Sequence, residues 1–389
     1  MQDLLGRVFR ASPLYELVLW DRLAPEERRA LARLPDDPDF YGVLRPREGA
    51  AGSLAGMTVK AVDRETALLF LTLREPGSLP AYVRTVLAEA AGRTVARLVA
   101  DGILEIERDD AFVSGPAALS LGLNTEEARA PGEGRLARLS VAALQYGQAL
   151  AIDDPLRLSF RLYGYNRRPL TPRWQRTLAS ADAVQAHLGI APGGVHRPLL
   201  DRAWRASSPS EAWLSWRSRN RQPPTAEGGA TWKLYISPAP EALAASFGAV
   251  LEALAAGKAA QFKIGAGAAG LLRPDKIVAY FPDFERLAAA AEAVSSRLAG
   301  VPAQGVPFTS EIGGDGLLSW GMDPPVAERG VQGGRESWRL WLTHRLARAL
   351  LSARAAATPE PWRFALERVR LEGVDTESWT PAASLWSAG

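Results

Sequence analysis

The stretch Gln261 to Phe281 constrains the fold more than any other part of the chain, because two short apolar runs flank a glycine-rich connection. The pattern predicts two strands, Gln261 to Ile264 and Lys276 to Phe281, joined by a loop of small residues. Side chains alternate along a strand, so Lys263 points away from its apolar neighbours. The stretch therefore predicts a strand-loop-strand unit that carries a lysine on its polar face.

The connection contains the pattern G-x-G-x-x-G at Gly265, Gly267 and Gly270, which in dinucleotide-binding folds cradles a pyrophosphate. A Rossmann crossover needs a helix, and so about ten or more residues, before the next strand. Here Pro274 follows Gly270 by four residues. The chain also lacks the H-R-D and D-F-G sequences of protein kinases. The glycines therefore predict a tight connection and no nucleotide site.

Composition limits the class of protein. The chain has 389 residues, 47% of them hydrophobic, which is enough for two domains with separate cores. It has no long apolar run and no secretory leader, so we expect a soluble, cytoplasmic protein with no membrane partner. Cysteine is absent and the three histidines lack metal-ligand spacing, so we expect no disulfide, no metal and no cofactor.

The first third of the chain predicts an N-terminal domain, residues 1–122. Apolar spacing favours helices in residues 1 to about 34, a buried strand at Ala67 to Leu73 and a long helix at Leu79 to Ala100. A hairpin is predicted over Ile103 to Ser114. Helix, glycine turn and hairpin together resemble a winged helix.

The hairpin is acidic, which argues against DNA binding. Glu105, Glu107, Asp109 and Asp110 would be repelled by phosphates, so we expect no nucleic-acid partner. Packing against the second half of the chain, or recognition of a peptide by strand addition, fits this hairpin better.

A second domain, residues 139–389, is expected after a polar linker at Gly122 to Arg135. It opens with a helix and a predicted strand at Leu156 to Leu162. The turn that follows contains Asn166 and Arg167, which would suit an anionic ligand, although a solvated turn explains them equally well.

Two further segments of this domain carry candidate site residues. In the strand Thr231 to Ser237, Lys233 and Tyr235 share one face. A helix leads from it to the strand of Lys263, so one β-α-β unit brings both lysines to one sheet.

Near the end of the chain, the amphipathic helix Arg335 to Ala356 carries Arg339 and Arg345. These lie six residues apart and so about 120° from one another around the axis. We expect both to reach the inner edge of one pocket.

The order Lys-x-Tyr-x-Ser, Phe-Lys, Arg-Pro-Asp-Lys and a late Trp-Arg helix, from Trp232 to about Arg348, resembles the phosphothreonine lyases of bacterial type III effectors. It is most similar to Hop-type relatives that act in lanthipeptide and thioamitide biosynthesis. The resemblance implies a mixed α+β lyase-like domain, so with the winged-helix-like N-terminal domain before it the expected fold class is α+β. It also implies two partners, a phosphorylated precursor peptide and a separate kinase-like phosphotransferase.

The resemblance assigns roles to individual residues. It implies that Lys263 removes the Cα proton of the substrate. It also implies that Lys233 and Tyr235 occupy the positions where the family has a lysine and a histidine that acts as the general acid. Arg273, together with the two arginines of the late helix, would then hold the phosphate. Tyrosine in place of histidine leaves the general acid open.

The chemistry of phosphate elimination agrees with these residue types. It requires a neutral amine base and cationic donors on the leaving phosphate. We expect neighbouring positive charges to lower the pKa of Lys263 and also that of Tyr235. The predicted function is a metal-independent lyase that converts phosphoserine or phosphothreonine into dehydroamino acids. The alternative is a non-catalytic phosphopeptide- or leader-peptide-binding partner, which would not need Lys263.

Overall fold

The computed structural model describes residues 4–30, 40–47, 59–86, 91–121, 132–207, 210–220, 231–324 and 336–381. Helices and strands are mixed along the chain, in agreement with the predicted α+β class. The strands are β1 (Val8–Ala11), β2 (Tyr15–Leu19), β3 (Phe40–Pro46), β4 (Lys60–Asp63), β5 (Gly77–Ser78), β6 (Leu104–Arg108), β7 (Ala111–Val113), β8 (Trp204–Ala206), β9 (Trp213–Ser218), β10 (Trp232–Ile236), β11 (Gln261–Gly265), β12 (Ile277–Phe281), β13 (Ser310–Ile312), β14 (Leu318–Met322), β15 (Val374–Asp375) and β16 (Thr380–Pro381). The helices are α1 (Pro25–Ala30), α2 (Arg64–Thr72), α3 (Ala81–Val86), α4 (Ala91–Ala100), α5 (Arg135–Ala149), α6 (Pro155–Tyr163), α7 (Pro172–Thr177), α8 (Ala181–His187), α9 (Arg197–Ala203), α10 (Pro240–Ala256), α11 (Ala268–Leu271), α12 (Phe284–Arg297), α13 (Trp338–Ala355) and α14 (Pro361–Leu371).

Strands β8 to β14 form one antiparallel sheet in the order β13-β14-β10-β12-β11-β9-β8. Strands β10 and β11, which α10 connects, are not neighbours, because β12 lies between them. The predicted β-α-β unit therefore exists, but its two strands are separated by a third.

One face of this sheet packs on helices and forms the larger hydrophobic core. Leu234 of β10, Phe262 of β11 and Ile277 of β12 are buried there with residues of α10 and α12. Since side chains alternate, the polar residues of the same strands lie on the opposite face. The predicted alternation in β10 and β11 is confirmed.

A helical layer formed by α5, α6, α13 and α14 has its own core, centred on Trp338 and Trp341. Helix α13 confirms the predicted helix near the end of the chain. The prediction of a strand at Leu156 to Leu162 was wrong. The Asp154 side chain accepts a hydrogen bond from the Arg157 N–H, and together with a proline in the first turn it starts α6.

The N-terminal part differs most from the sequence prediction. Residues 1 to about 34 were predicted to be helical, and α1 (Pro25–Ala30) confirms the later part of that prediction, but the strands β1 and β2 form where the earlier helix was expected. Phe9 and Ala11 are buried on one side of β1, which pairs with β5 and β6. The predicted strand at Ala67 to Leu73 is instead part of α2, whose first turn is capped by the Asp63 side chain.

The predicted hairpin is confirmed as β6 and β7, and Asp109 and Asp110 turn the chain with positive φ angles. Helix α4 precedes it, as expected, and β1 lies between β5 and β6. The winged-helix assignment remains a prediction, as does the division into residues 1–122 and 139–389. Leu371 of α14 packs into the N-terminal core. Residues 122–131 of the predicted linker lie outside the described residues.

The glycines after β11 allow two backbone segments to cross closely. A Cβ at Gly265 would lie 2.4 Å from the carbonyl carbon of Gly270, and a Cβ at Gly270 would lie 2.7 Å from the Gly265 Cα. The segment between them ends in the four-residue helix α11, where the sequence predicted only a loop. This crossing accounts for Gly265 and Gly270 without a nucleotide.

None of the helices in the described ranges combines the length and the apolar composition that crossing a bilayer requires.

Candidate active site

Lys263 occupies the polar face of the sheet, between two aromatic rings. Its Nζ lies 4.1 Å from the centroid of the Trp213 ring and 5.7 Å from that of Tyr280. Burial, and after it the charge of Lys233, lower the pKa of Lys263 to about 8. At pH 7 roughly one tenth of the amine is then neutral. The predicted direction of the shift is confirmed, although burial contributes more than like charge.

Lys233 lies on the same face, in the neighbouring row of the sheet. It is directly opposite Tyr280 in the β10-β12 register, with its Nζ 5.4 Å from that ring. The Nζ is 2.5 Å from Asp323 Oδ2, and the side chain is almost fully buried. Lys233 is therefore a fixed cation near Lys263.

Asp275 is the centre of a buried charge cluster beside the sheet. Its carboxylate accepts two hydrogen bonds from Arg273, at 2.9 and 2.7 Å, and one from the Tyr163 hydroxyl at 3.0 Å. Arg339 Nη1 is 2.9 Å from Asp275 Oδ2. Burial alone would raise the pKa of Asp275, but the two arginines hold it well below its usual range. The carboxylate is thus charged and fixes both guanidinium groups.

Arg273 connects this cluster to Lys263 through one aromatic ring. Its guanidinium carbon is 5.0 Å from the Trp213 centroid, and the same ring contacts the Lys263 amine. Arg273 remains partly exposed, with 19% of its side-chain surface accessible. Its bonds to Asp275 use Nε and Nη2, and within the described ranges Nη1 makes no hydrogen bond or ion pair, so Nη1 is the donor that Arg273 has left for an anion.

The turn after α6 places Arg167 near Arg273, whereas Asn166 of the same turn bonds to the backbone. The side chain of Arg167 is exposed, but the surrounding protein removes part of its hydration, and this desolvation, followed by the charge of Arg273, lowers its pKa. The Asn166 amide instead donates to the carbonyl oxygens of Gln304 and Gly305, at 2.8 and 2.9 Å. Asn166 therefore holds the turn, which corrects its expected role as a phosphate ligand.

The two arginines of α13 do not converge on one pocket as expected. Arg339 is fully buried and donates to the carbonyl oxygens of Pro307 and Tyr163. It supports Asp275 and is closed to a ligand. Arg345 lies six residues, about 9 Å of helix axis, further along and pairs with Glu372 at 2.5 Å. It belongs to a different cluster.

Tyr235 lies in the same row of the sheet as Lys263. Both residues are opposite Val278 of β12, so they are two strands and about 10 Å apart. Tyr235 is almost fully buried, and burial followed by the charge of Asp323 raises its pKa well above the ordinary value. The expectation that nearby cations lower this pKa was wrong. The phenol therefore stays protonated and can donate a hydrogen bond.

If the protein catalyses the phosphate elimination that its sequence predicts, we expect Tyr235→Phe to reduce the rate by about tenfold, because one neutral hydrogen bond contributes about 1 kcal/mol. The shape of the pH profile between about pH 6 and 9 should not change, since the phenol does not titrate there. Steady-state kinetics of both proteins, with Tyr41→Phe on the exposed side of β3 as a control, test this. A loss of about 10²-fold or more, with an altered profile, would instead make Tyr235 the general acid.

Three residues of the site were not singled out from the sequence. Asp275 stands between an arginine and a lysine in Arg-Pro-Asp-Lys, and an acid between two bases was an available signal. Trp213 shares a face of β9 with Ser215, the residue opposite Lys263, but the sequence alone does not show that β9 pairs with β11. Asp323 gave no local signal, because its partner Lys233 is far away in sequence.

Within the described ranges, no group of three or more His, Asp or Glu side chains is arranged to hold a metal ion.

No protein-family model matches the chain, and no curated protein matches it. Among solved structures, an effector protein from Pseudomonas syringae pv. syringae strain 61 is 13% identical over 62% of this chain and 96% of its own, with a TM-score of 0.36. The VirA (SpvC) phosphothreonine lyase effector protein of Chromobacterium violaceum is 16% identical over 37% of this chain and 77% of its own, with a TM-score of 0.25. Another solved structure, that of a phosphothreonine lyase, is 12% identical over 53% of this chain and 98% of its own, with a TM-score of 0.26. Because these TM-scores are below 0.5, the likeness assigns neither a family nor an activity to this chain.

Proposed function

We propose that this protein is a lyase that eliminates phosphate from phosphoserine or phosphothreonine residues of a peptide. The observation that carries the proposal is the position of Lys263, an amine with a pKa of about 8 on the same indole ring as the partly exposed Arg273. A site that only bound phosphate would need the arginine but no lysine of lowered pKa. A base beside an anion-binding group is what β-elimination requires.

The proton transfer follows from the state of Lys263. Its neutral amine takes the Cα proton of the phosphorylated residue, and the electron pair of that C–H bond forms the Cα=Cβ double bond. The Cβ–O bond breaks, and its electron pair leaves with the phosphate. Lys233, paired with Asp323, keeps a positive charge near the base and helps to keep Lys263 neutral.

The leaving phosphate is bound on the arginine side of the site. Arg273 is held by Asp275, and Arg167 lies beside it on the turn after α6. A guanidinium that is already oriented loses less conformational entropy when it binds a dianion. Tyr235 contributes a neutral donor. This arrangement supplies the positive charge that the departing group requires.

The biological setting that we propose is the biosynthesis of a peptide natural product of the lanthipeptide or thioamitide kind. A separate kinase-like phosphotransferase would first phosphorylate the precursor peptide, and this protein would then form dehydroalanine or dehydrobutyrine. The order of short motifs between Trp232 and about Arg348 supports this setting. We propose that the reaction needs no metal ion, so EDTA should leave the rate unchanged.

A direct experiment incubates the protein with a peptide that carries one phosphothreonine and follows the mass of the peptide. Elimination gives a product one water lighter than the product of phosphate hydrolysis. The dehydro product, formed in the presence of EDTA, would support the proposal. Binding without any change of mass would favour the non-catalytic binding partner, and the hydrolysis product would indicate a phosphatase.

We expect Arg273→Gln to weaken binding of a phosphopeptide by roughly 10- to 100-fold, because it removes a charge-assisted hydrogen bond. Binding of the unphosphorylated peptide should not change. Titration calorimetry of both peptides measures this, with Arg176→Gln on the exposed side of α7 as a control of equal charge. Equal losses for the two peptides would place Arg273 outside the phosphate site.

A further inference from the structure

A second charged cavity lies away from Lys263, where the N-terminal part meets α13 and α14. Its volume is about 180 Å³. The N-terminal part contributes Lys60 and Asp101, and the two helices contribute Arg345, Arg348 and Arg368 among others. None of these residues takes part in the elimination proposed above.

Two carboxylates in this cavity are shared among cations. Asp101 is 2.5 Å from Lys60 Nζ and accepts two hydrogen bonds from Arg368, at 2.5 and 2.9 Å. Glu372 is 2.5 Å from Arg345 Nε and 2.8 Å from Arg368 Nη1. Each carboxylate therefore already holds two positively charged groups.

The charges of the cavity do not balance. Its described lining has four cations (Lys60, Arg345, Arg348 and Arg368) and two carboxylates, which leaves two positive charges in excess. Arg348 makes no ion pair among the described residues, although the charges of Glu336, Glu372 and Asp101 favour its charged form. Its side chain is exposed, but the surrounding protein removes part of its hydration, and this desolvation, followed by the charge of Arg345, lowers the pKa of Arg348. Positive charge without an ion-pair partner in a partly desolvated cavity is unfavourable and is relieved by a bound anion.

The geometry of α13 provides ligands for such an anion. Arg345, Arg348 and Ser352 are spaced i, i+3 and i+7, so all three project from one side of the helix into the cavity. Two guanidinium groups and a hydroxyl match the acceptors of a tetrahedral dianion. The volume suits a group of this size with several waters and is too small for a folded peptide segment.

We propose that this cavity binds a phosphate group through Arg345, Arg348 and Ser352, at the junction of the N-terminal part with α13 and α14. The site is independent of the proposed lyase function and would exist even if Lys263 had no catalytic role. The phosphate group can belong to the free ion or to a phosphorylated side chain, because both offer the same dianion.

Titration calorimetry with inorganic phosphate tests the proposal. The titration uses the Arg273→Gln protein, so that the phosphate site proposed at Arg273 contributes little to the measured binding. Sodium chloride keeps the ionic strength constant. We expect one binding site, whose Kd rises roughly 10- to 100-fold when Arg348→Gln is added. Arg348 is exposed, so its replacement should leave the fold intact. The control Arg176→Gln makes the same change of charge and should leave the Kd unchanged.

Two results would overturn the proposal: no phosphate binding to the Arg273→Gln protein, or the same Kd with and without Arg348→Gln. If Arg273→Gln does not fold, the wild type is compared with Arg348→Gln alone, and the loss of one binding site is expected. A peptide with one phosphothreonine, titrated in parallel, distinguishes a phosphorylated side chain from the free phosphate ion as the ligand. Binding of the peptide that depends on Arg348 would identify phosphorylated side chains, whereas binding of inorganic phosphate alone would identify the free ion.

Discussion

Lys263→Met is expected to lower kcat/KM for phosphate elimination by about 10³-fold or more, within the upper range for a general base. The affinity for the phosphopeptide should stay within a few-fold, because the base acts on the barrier and contributes little to ground-state binding. Methionine is unbranched and nearly as long as lysine, so it can pack against the Trp213 ring while removing the amine that contacts that ring. Product formation and calorimetric affinity, measured on the same protein, separate the two effects.

The pH dependence of the wild type follows from the same residue. Only the neutral amine accepts a proton, so kcat/KM should rise with pH and level off above the pKa of about 8. Lys258→Met, at an exposed lysine after α10, is the matched control and should keep both the rate and the profile. A Lys263→Met protein that retains more than about a tenth of the rate would remove Lys263 as the base.

Asp275→Asn is expected to lower the free energy of unfolding by about 3–5 kcal/mol, the usual result of removing one partner from a buried ion pair. The change leaves Arg339, which is fully buried, without its carboxylate, and it also releases Arg273. Denaturant unfolding followed by fluorescence measures the difference. Asp182→Asn on the exposed side of α8 is the control and should change little.

The effect of Asp275→Asn should depend on pH in a definite direction. The folded-state pKa of Asp275 lies below its usual range, so its contribution is fully present above the unfolded value of about 3.9 and is lost as the pH falls further. The two proteins should therefore differ most at neutral pH and converge in acid. A constant difference down to acidic pH, or none at pH 7, would mean that the charge of Asp275 does not stabilise the fold.

The sheet residues were predictable because their signal is local. Alternation in β10 placed Lys233 and Tyr235 on one face, and alternation in β11 turned Lys263 away from the core. The predicted helix near the end of the chain was also confirmed, although it is buried on most of its sides and is not amphipathic as expected.

The errors arose where a short pattern fits two structures. Spacings of three and four residues near the start of the chain mimic a helix, yet the strand β1 forms because it pairs with residues 104–106. That pairing joins residues almost a hundred positions apart and leaves no local signal. For α6 the signal was present, because Asp154 followed by a proline is a helix start, but the apolar run after it was interpreted as a strand.

The sequence predicted which types of residue form the candidate site, but it did not predict most of the contacts between them. Arg339 contacts Asp275 across 64 positions of sequence, and Trp213 meets Lys263 through the pairing of β9 with β11. Burial determines whether an arginine binds a ligand or supports another side chain, and the sequence pattern does not reveal it. For the same reason the pKa of Tyr235 was predicted in the wrong direction.

The claim that a base removes the Cα proton is tested most directly with deuterium at that carbon. A peptide whose single phosphothreonine carries deuterium at Cα is incubated with the protein in ordinary water, and the product is analysed by mass spectrometry. We predict a dehydrobutyrine product that has lost both the phosphate and the deuterium. A product that has lost the phosphate but retains the deuterium and the side-chain oxygen would contradict the account, because it would show hydrolysis without any role for a base at Cα.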